Sequence, residues 1–237
     1  ILLENMRREG YELAVGKPQV VLHTDENGKT TEPIERLILD VPTDVVGALM
    51  QLLGDRRAEM VHMDTLGQRT QLEFTIPARG LIGLRSRMLT ATAGEVIMHH
   101  RFECFGPHRG EIGKRANGVM IATETGQVTT YALEQLAGRG VMFVQPGQDV
   151  YEGQLAGEHC RDNDLPVNVV KKKNLTNIRS STKEATVTLK APRPITLESA
   201  LEYVELDELV EITPQHIRMR KIYLKENARK QALRKTK

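Results

Sequence analysis

The chain has no tryptophan, and only four phenylalanines and five tyrosines among its 237 residues. A protein that grips single-stranded nucleic acid by stacking bases on aromatic platforms needs more rings than this. A basic surface poor in aromatics suits the backbone of folded RNA better. Cysteine is also scarce. Cys104 and Cys160 are too few and too isolated for a disulfide scaffold, which fits a reducing cytosol. No apolar run approaches the roughly 20 residues that cross a bilayer as a helix. The opening Ile1-Leu2-Leu3-Glu4-Asn5 carries charge at once, unlike a secretory signal. It also starts without Met in the middle of an amphipathic pattern, with Leu2, Leu3 and Met6 on one face, and reads as a piece of a longer, cytoplasmic protein.

What the chain does have is charge, unevenly placed. Ile1 to Val170 holds 17 Lys+Arg against 23 Asp+Glu, whereas Lys171 to Lys237 holds 16 against 8. The overall net charge of +2 therefore conceals an acidic front and a basic C-terminal end. That asymmetry points to nucleic-acid contact.

Hydrophobic periodicity divides the rest. Ile34 to Val41 alternates as a strand, and Pro42-Thr43 introduces a helix with Thr43 as cap and Val45, Val46, Leu49, Met50, Leu52 and Leu53 on its apolar face. Glu59 to Thr65 and Gln68 to Pro77 read as strands joined at Leu66-Gly67. A second helix is expected from about Gly80 to Thr92, and a last strand from Glu95 to Phe102. The order β-α-β-β-α-β is that of a ferredoxin-like split βαβ domain, so the fold class is α+β. Beyond Pro107 the pattern becomes short strands between Gly-rich turns: 119–123, 127–130, 141–144, 154–159 and 166–170. One helix follows, Thr196 to Val204 with Thr196 as N-cap, then a hairpin from Leu209–Thr213 and Ile217–Tyr223 and a polar, basic tail from Lys225, frayed or helical on contact. The expected segments are 1–31, the tail of a preceding domain and linker; 32–106, the ferredoxin-like domain; and 107–237, a mostly β domain.

Several constellations weaken on inspection. Gly10 to Pro18 imitates a phosphate-binding loop, but it has one residue too many between its glycines and Pro where a hydroxyl belongs. Gly10 reads as a helix end and Gly16-Lys17-Pro18 as a turn. His99, His100, Cys104 and His108 lie close in sequence, yet adjacent strand residues face opposite sides and the tetrahedral spacings are not met. His100 shares a face with Val96, Met98 and Phe102 and reads as a half-buried core position. The acidic run Glu202, Glu205, Asp207, Glu208 and Glu211 reads as a solvated helix end that pairs with Arg218, Arg220 and Lys221 across the hairpin. No catalytic residue and no metal ligand is expected in this chain.

Lys171 to Lys183 is the informative segment. Its 13 residues hold five cations, no carboxylate and no aromatic. Lys171, Lys172, Lys173, Arg179 and Lys183 would neutralise phosphates, with Asn174, Thr176, Asn177, Ser180 and Ser181 as further donors to phosphate or 2′-hydroxyl groups. Arg218 to Lys237, with nine cations and one carboxylate, forms a second basic patch in which Arg218, Arg220 and Lys221 are the candidate contacts. The competing reading is a scaffold whose basic end binds an acidic protein.

Arg79-Gly80-Leu81-Ile82-Gly83-Leu84-Arg85-Ser86, with Thr90, Thr92 and Gly94, resembles the second helix of the ferredoxin-like domain of elongation-factor-G-like translational GTPases. Gly110-Glu111-x-Gly113-x-Arg115-x-Asn117-Gly118 resembles the opening of the C-terminal domain of the BipA/TypA family. So do Tyr151-Glu152-Gly153-Gln154, Asn163-Asp164-Leu165-x-Val167-Asn168, Lys173-Asn174-Leu175-Thr176-Asn177-x-Arg179, Asp207-Glu208-Leu209-Val210-Glu211 and Ile217-Arg218-x-Arg220-Lys221, in order. After Gly94 the family commonly keeps a second glycine, where this chain has Glu95. The resemblance implies a ribosome-associated GTPase linked to large-subunit assembly and growth under stress. Its C-terminal domain would reach toward the A site, with the basic loop on rRNA and the acceptor end of tRNA. It implies a monomer with no membrane partner. GTP and Mg²⁺ would be held by a preceding domain, because this sequence carries no phosphate-binding loop, switch or guanine-recognition motif.

Overall fold

The computed structural model describes residues 1–24, 28–113, 115–173 and 189–235. The chain forms two compact units, one of Pro18–Lys114 and one built from Ile1–Lys17 together with Arg115–Lys237.

The chain opens with α1 (Leu2–Arg8), whose Glu4 in the first turn and Arg7 and Arg8 in the last complement the helix dipole. It ends as the sequence suggests: Gly10 takes φ +90°, and the Gly10 and Tyr11 N–H groups donate back to the carbonyls of Arg7 and Met6. Strand β1 (Leu13–Gly16) follows.

The Pro18–Lys114 unit contains β2 (His23–Thr24), β3 (Thr30–Pro42), α2 (Val46–Gly54), β4 (Glu59–Leu66), β5 (Arg69–Pro77), α3 (Leu84–Ala91) and β6 (Ile97–Pro107). The antiparallel order β4-β5-β3-β6, with β2 added along the start of β3, is the expected ferredoxin-like sheet. Leu37, Leu39 and Val41 of β3 and Leu72, Phe74 and Ile76 of β5 share one face. They pack on Leu49 and Leu53 of α2 and Leu84 and Met88 of α3, all buried. Each such side chain contributes about 1.5–3 kcal/mol relative to exposure.

Three local details differ from the sequence reading. Thr43 does not cap a helix; it opens a 3-10 turn, and its hydroxyl lies 3.1 Å from that of Thr70. The second helix is not continuous from Gly80. A 3-10 turn, Ala78–Leu81, precedes α3, and Gly83 between them takes φ +68°. The buried Arg56 guanidinium donates to the carbonyls of Gly80 and Ile82 at 2.6 Å each, satisfying groups that the break leaves outside a helix. His100 is half exposed rather than part of the core, because β6 pairs only with β3, and its Nδ1 lies 2.5 Å from the Glu35 carboxylate.

This unit also extends past the expected boundary at 106. The buried Glu32 carboxylate receives the Arg79 guanidinium at 2.5 and 3.1 Å and the Arg109 backbone N–H at 2.7 Å. Arg109 donates in turn to the Thr75 carbonyl and hydroxyl, and Arg79 to the Gly110 carbonyl. Residues 107–111 are thereby fastened to the ferredoxin-like sheet.

The second unit adds β7 (Val119–Ala122), β8 (Gly126–Gln127), α4 (Thr130–Leu136), β9 (Gly140–Met142), β10 (Asp149–Val150), β11 (Leu155–His159), β12 (Leu165–Val167), α5 (Leu197–Tyr203), β13 (Glu208–Ile212), β14 (Ile217–Lys221) and α6 (Glu226–Lys235). A four-stranded sheet runs β12-β7-β11-β9, with β12 parallel to β7. A three-stranded sheet runs β1-β13-β14, and β8 pairs with β10. β7 is buried on both faces, as its unbroken Val-Met-Ile-Ala run requires. Val119 and Ile121 join the cluster of Ala200, Val204, Val210, Ile212 and Met219, while Met120 and Ala122 join that of Val128, Leu133, Val150, Val167 and Val169.

Residues 1–17 belong to this unit. Leu13 pairs with Ile212 and Gly16 with Leu209, and Leu3, Leu13 and Val15 pack into the first of those clusters. The sequence reading also missed α4, taking 127–130 as a strand. Thr129 caps this helix by accepting from the Ala132 N–H at 3.1 Å, and Ala132 and Leu133 are buried beneath it. α5 has the expected start, with Thr196 and Ser199 forming a reciprocal capping box. The tail is helical, with Glu226 and Lys230 paired one turn apart. Among the described residues, no helix is long and apolar enough to cross a membrane.

Candidate nucleic-acid interface

The basic segment begins just beyond β12, and its base is fixed from both sides. On the incoming side the Thr129 N–H donates to the Val169 carbonyl at 3.1 Å, and its hydroxyl donates to the Lys171 carbonyl at 2.5 Å. The Asn168 side chain accepts from the Val170 N–H at 3.0 Å, an Asx turn that redirects the chain. On the returning side, Leu189 packs into the same apolar cluster as Val169 and Val170. The Arg193 N–H donates to the Met142 carbonyl at 2.8 Å, and its guanidinium pairs with Glu158 at 2.9 Å and lies over the Phe143 ring. Of the described residues, strand β12 precedes the segment and residues 189–195 follow it as packed irregular backbone.

Lys171, Lys172 and Lys173 are exposed. Among the described residues, Lys171 and Lys172 have no ion pair, so their charge faces solvent uncompensated. Asn174, Thr176, Asn177, Arg179 and Lys183 lie outside the described residues.

The second candidate group has a different character. Along β14, Met219 and Lys221 are buried, and Ile217, Arg218 and Arg220 are partly buried. Arg220 Nε lies 3.4 Å from Glu211 on the neighbouring β13, and Arg218 lies 3.9 Å from the same carboxylate. The Tyr151 hydroxyl donates to Glu211 at 2.8 Å. Burial, reinforced by that bond to a carboxylate, pushes the Tyr151 phenol well above its ordinary range. This is the cross-hairpin pairing that the sequence suggests, and it partly neutralises both arginines.

Lys221 leaves the candidate set. Its side chain is 4% exposed, and its Nζ lies 2.7 Å from Asp164, 2.7 Å from Asp207 and 2.9 Å from Glu208. An ammonium has three N–H donors, and three carboxylates take them all. Burial lowers the Lys221 pKa and its three carboxylates more than offset it, for a net rise.

Glu208 is the centre of this network and is fully buried, not part of a solvated helix end. Arg115 grips it with two N–H groups at 3.0 Å each. The same guanidinium donates to the Asn117 and Tyr203 carbonyls and lies 4.5 Å over the Tyr203 ring. Burial pushes the Glu208 carboxyl up, but Arg115 and Lys221 more than compensate and hold it below the ordinary carboxylate range. In the sequence Arg115 stands within the Gly110–Gly118 motif with no role attached to it. Its signal was available only as spacing, because its partner lies far along the chain.

Among the described residues, no group of three or more His, Cys, Asp or Glu side chains could hold a metal ion. Cys104 and Cys160 are both exposed free thiols. What the geometry offers is a fixed platform that presents cations, with a second, internally paired cationic strand and a buried ionic centre in the same unit.

Comparison with known proteins assigns the two parts. Residues 117–226 match the TypA/BipA C-terminal domain, and residues 29–116 match the Elongation factor G C-terminus. The junction lies two residues from the boundary between the compact units. The chain is 47% identical over 239 residues to the large ribosomal subunit assembly factor BipA of Bacillus subtilis (strain 168), covering 100% of this chain and 39% of that protein. It is 51% identical over 227 residues to the protein of that name from Synechocystis sp., covering 95% and 38%. It is 45% identical over 236 residues to the one from Escherichia coli (strain K12), covering 99% and 39%. The chain thus spans about two-fifths of the length of these relatives. With these two matches following one another along residues 29–226 and the relatives' identity extending over nearly the whole chain, the chain belongs to the TypA/BipA family.

Proposed function

We propose that this chain is the ribosome-docking part of a translational GTPase that acts in large-subunit assembly and in translation under stress, in the cytoplasm. The relatives' name, large ribosomal subunit assembly factor, supports the ribosome as partner. The observation that carries the RNA assignment is the pair Lys171 and Lys172: exposed, without a carboxylate partner, and mounted on a base held by Thr129 and the Val169–Leu189 packing. Lys171, Lys172 and Lys173, continuing into Asn174, Thr176, Asn177, Arg179 and Lys183, contact the phosphate backbone of rRNA and the acceptor end of tRNA. Arg218 and Arg220 contribute less, because Glu211 already engages both. GTP hydrolysis, with its Mg²⁺, belongs to a part of the longer protein outside this sequence.

Contacts of this kind position a protein on RNA without reading its sequence, and they respond steeply to salt. The test is co-sedimentation with 70S ribosomes and 50S subunits across a salt series, wild type beside the Lys171→Ala/Lys172→Ala/Lys173→Ala variant. Each lost phosphate contact flattens the slope of log K against log salt by about 0.7–0.9, so the triple variant should lose roughly two to three units of slope. Equal slopes would remove the loop from the interface. Binding that survives RNase and ignores salt would favour an acidic protein partner instead.

A further inference from the structure

Strand β12 pairs in parallel with β7 only as far as Val167, opposite Ala122. The chain then runs on to the lysines, and its carbonyls continue to be held at every second residue. Thr123 donates to the Val167 carbonyl through its N–H at 3.0 Å and its hydroxyl at 3.2 Å. The Thr129 N–H donates to the Val169 carbonyl at 3.1 Å, and the Thr129 hydroxyl donates to that of Lys171 at 2.5 Å. One residue thus carries the ladder two rungs beyond the sheet, up to the first lysine of the basic segment.

Thr129 is itself anchored. Its carbonyl accepts the Leu133 N–H at 3.2 Å and its hydroxyl oxygen accepts the Ala132 N–H at 3.1 Å, both at the start of α4. Ala132 and Leu133 are buried, Leu133 in the same cluster as Val128, Val167 and Val169. A hydroxyl has one proton and two lone pairs. Here the proton goes to Lys171 and a lone pair to α4. Capping alone does not call for the proton, because an aspartate caps a helix at least as well as threonine and has nothing to donate. The bond to Lys171 is what requires a donor.

We propose that Thr129 is the positioning residue of the basic segment: it touches no RNA itself, and through the Lys171 carbonyl it sets where Lys171 and Lys172 leave the fold. This rests on the RNA reading above and adds to it a residue outside the cationic run. Lysines on a loose arm must be ordered when they meet phosphate, and a backbone bond made beforehand spares part of that cost. The number of phosphates neutralised does not depend on it. Contact and positioning therefore leave different marks on a salt series. Losing a contact changes the slope, whereas losing the positioning lowers affinity by the same factor at every salt concentration.

The test is co-sedimentation of the full chain with 50S subunits across a salt series, beside thermal melting. Thr129→Val keeps the shape of the side chain and loses the hydroxyl. It should bind roughly fivefold more weakly at each salt concentration, the equivalent of ordering about one residue's backbone, with the wild-type slope. Thr129→Ser keeps both bonds and should bind as wild type does. Leu136→Ala loosens α4 from its other end, where Leu136 packs on the same cluster, and should melt lower yet bind normally. If Leu136→Ala weakens binding as much as Thr129→Val, the effect is one of general stability and the proposal falls. Wild-type affinity in Thr129→Val, or a flattened slope, overturns it too. Should the valine protein not fold, Thr129→Gly decides, because glycine as an N-cap comes close to threonine and lacks the hydroxyl. Unchanged binding by a folded Thr129→Gly protein rejects the inference. The Lys171→Ala/Lys172→Ala/Lys173→Ala variant keeps the two readings apart: an unchanged slope there removes the RNA reading and this inference with it, while a flattened slope there with wild-type binding by Thr129→Val removes the positioning alone.

Discussion

Lys171 and Lys221 are the same side chain in the same unit, and their surroundings are opposite. Lys171 is exposed and has no ion pair among the described residues; Lys221 is buried with a carboxylate on each N–H. Counting cations along the sequence placed both in one class. The difference shows that a basic patch is defined by the acids that fold against it. Asp164 lies on a turn before β12 and Asp207 before β13, and neither is a sequence neighbour of Lys221. Arg218 and Arg220 fall between the extremes, sharing Glu211 at 3.9 and 3.4 Å.

The comparison predicts a graded response to substitution. The largest effect belongs to Glu208→Ala, which leaves Arg115 and Lys221 buried without their common partner. Removing one member of a buried ionic group costs about 3–5 kcal/mol, and thermal unfolding should show it. A loss below about 1 kcal/mol would mean that water enters the site and the burial argument is wrong.

Acid should act in the same place. Glu208 is held below its ordinary value of 4.5, so it stabilises the folded state fully above that value. The stabilisation is lost as pH falls through the depressed folded value, because the unfolded chain then binds the proton first. The wild-type melting temperature should therefore drop more steeply below pH 4.5 than that of Glu208→Gln; parallel curves would contradict the assignment.

Smaller still is Arg220→Ala. It removes one partly exposed pair, worth about 0–1 kcal/mol, and should weaken ribosome binding less than the triple lysine change. Should it weaken binding more, Glu211 is not neutralising the arginines and the ranking is inverted. The Lys171→Ala/Lys172→Ala/Lys173→Ala protein stands at the far end. Exposed lysines away from packing shift stability by no more than about 0.5 kcal/mol, so its melting curve should match wild type although its salt response does not.

The same contrast explains what the sequence could and could not disclose. In the ferredoxin-like unit the apolar residues alternate along β3 and β5 and recur at helical spacing in α2, so local period alone revealed element order and core. The break at Ile82-Gly83 stayed hidden because Leu81, Leu84 and Met88 keep helical spacing across it, while the Arg56 guanidinium that supports it comes from another element. In the other unit α4 has only seven residues, less than two full turns of pattern, set among turn-forming glycines. The basic segment stands out in the sequence because a run of one charge sign needs no partner to be noticed. The fate of Lys221 does not, because it depends on acids elsewhere in the chain.

One arrangement has a consequence for how the chain is made. The unit that carries the basic segment is discontinuous in sequence: β1 pairs with β13, so Leu13 meets Ile212 only after the residues between them have been synthesised. The Pro18–Lys114 unit is continuous and lies, in sequence, between its two segments. On the ribosome the continuous unit can close its sheet before β7 through β14 are made, and Leu13 and Val15 must wait without their partners until β13 has emerged. Across this chain the order of pairing thereby departs from the order of synthesis: β1 precedes the Pro18–Lys114 unit and finds its partner after it.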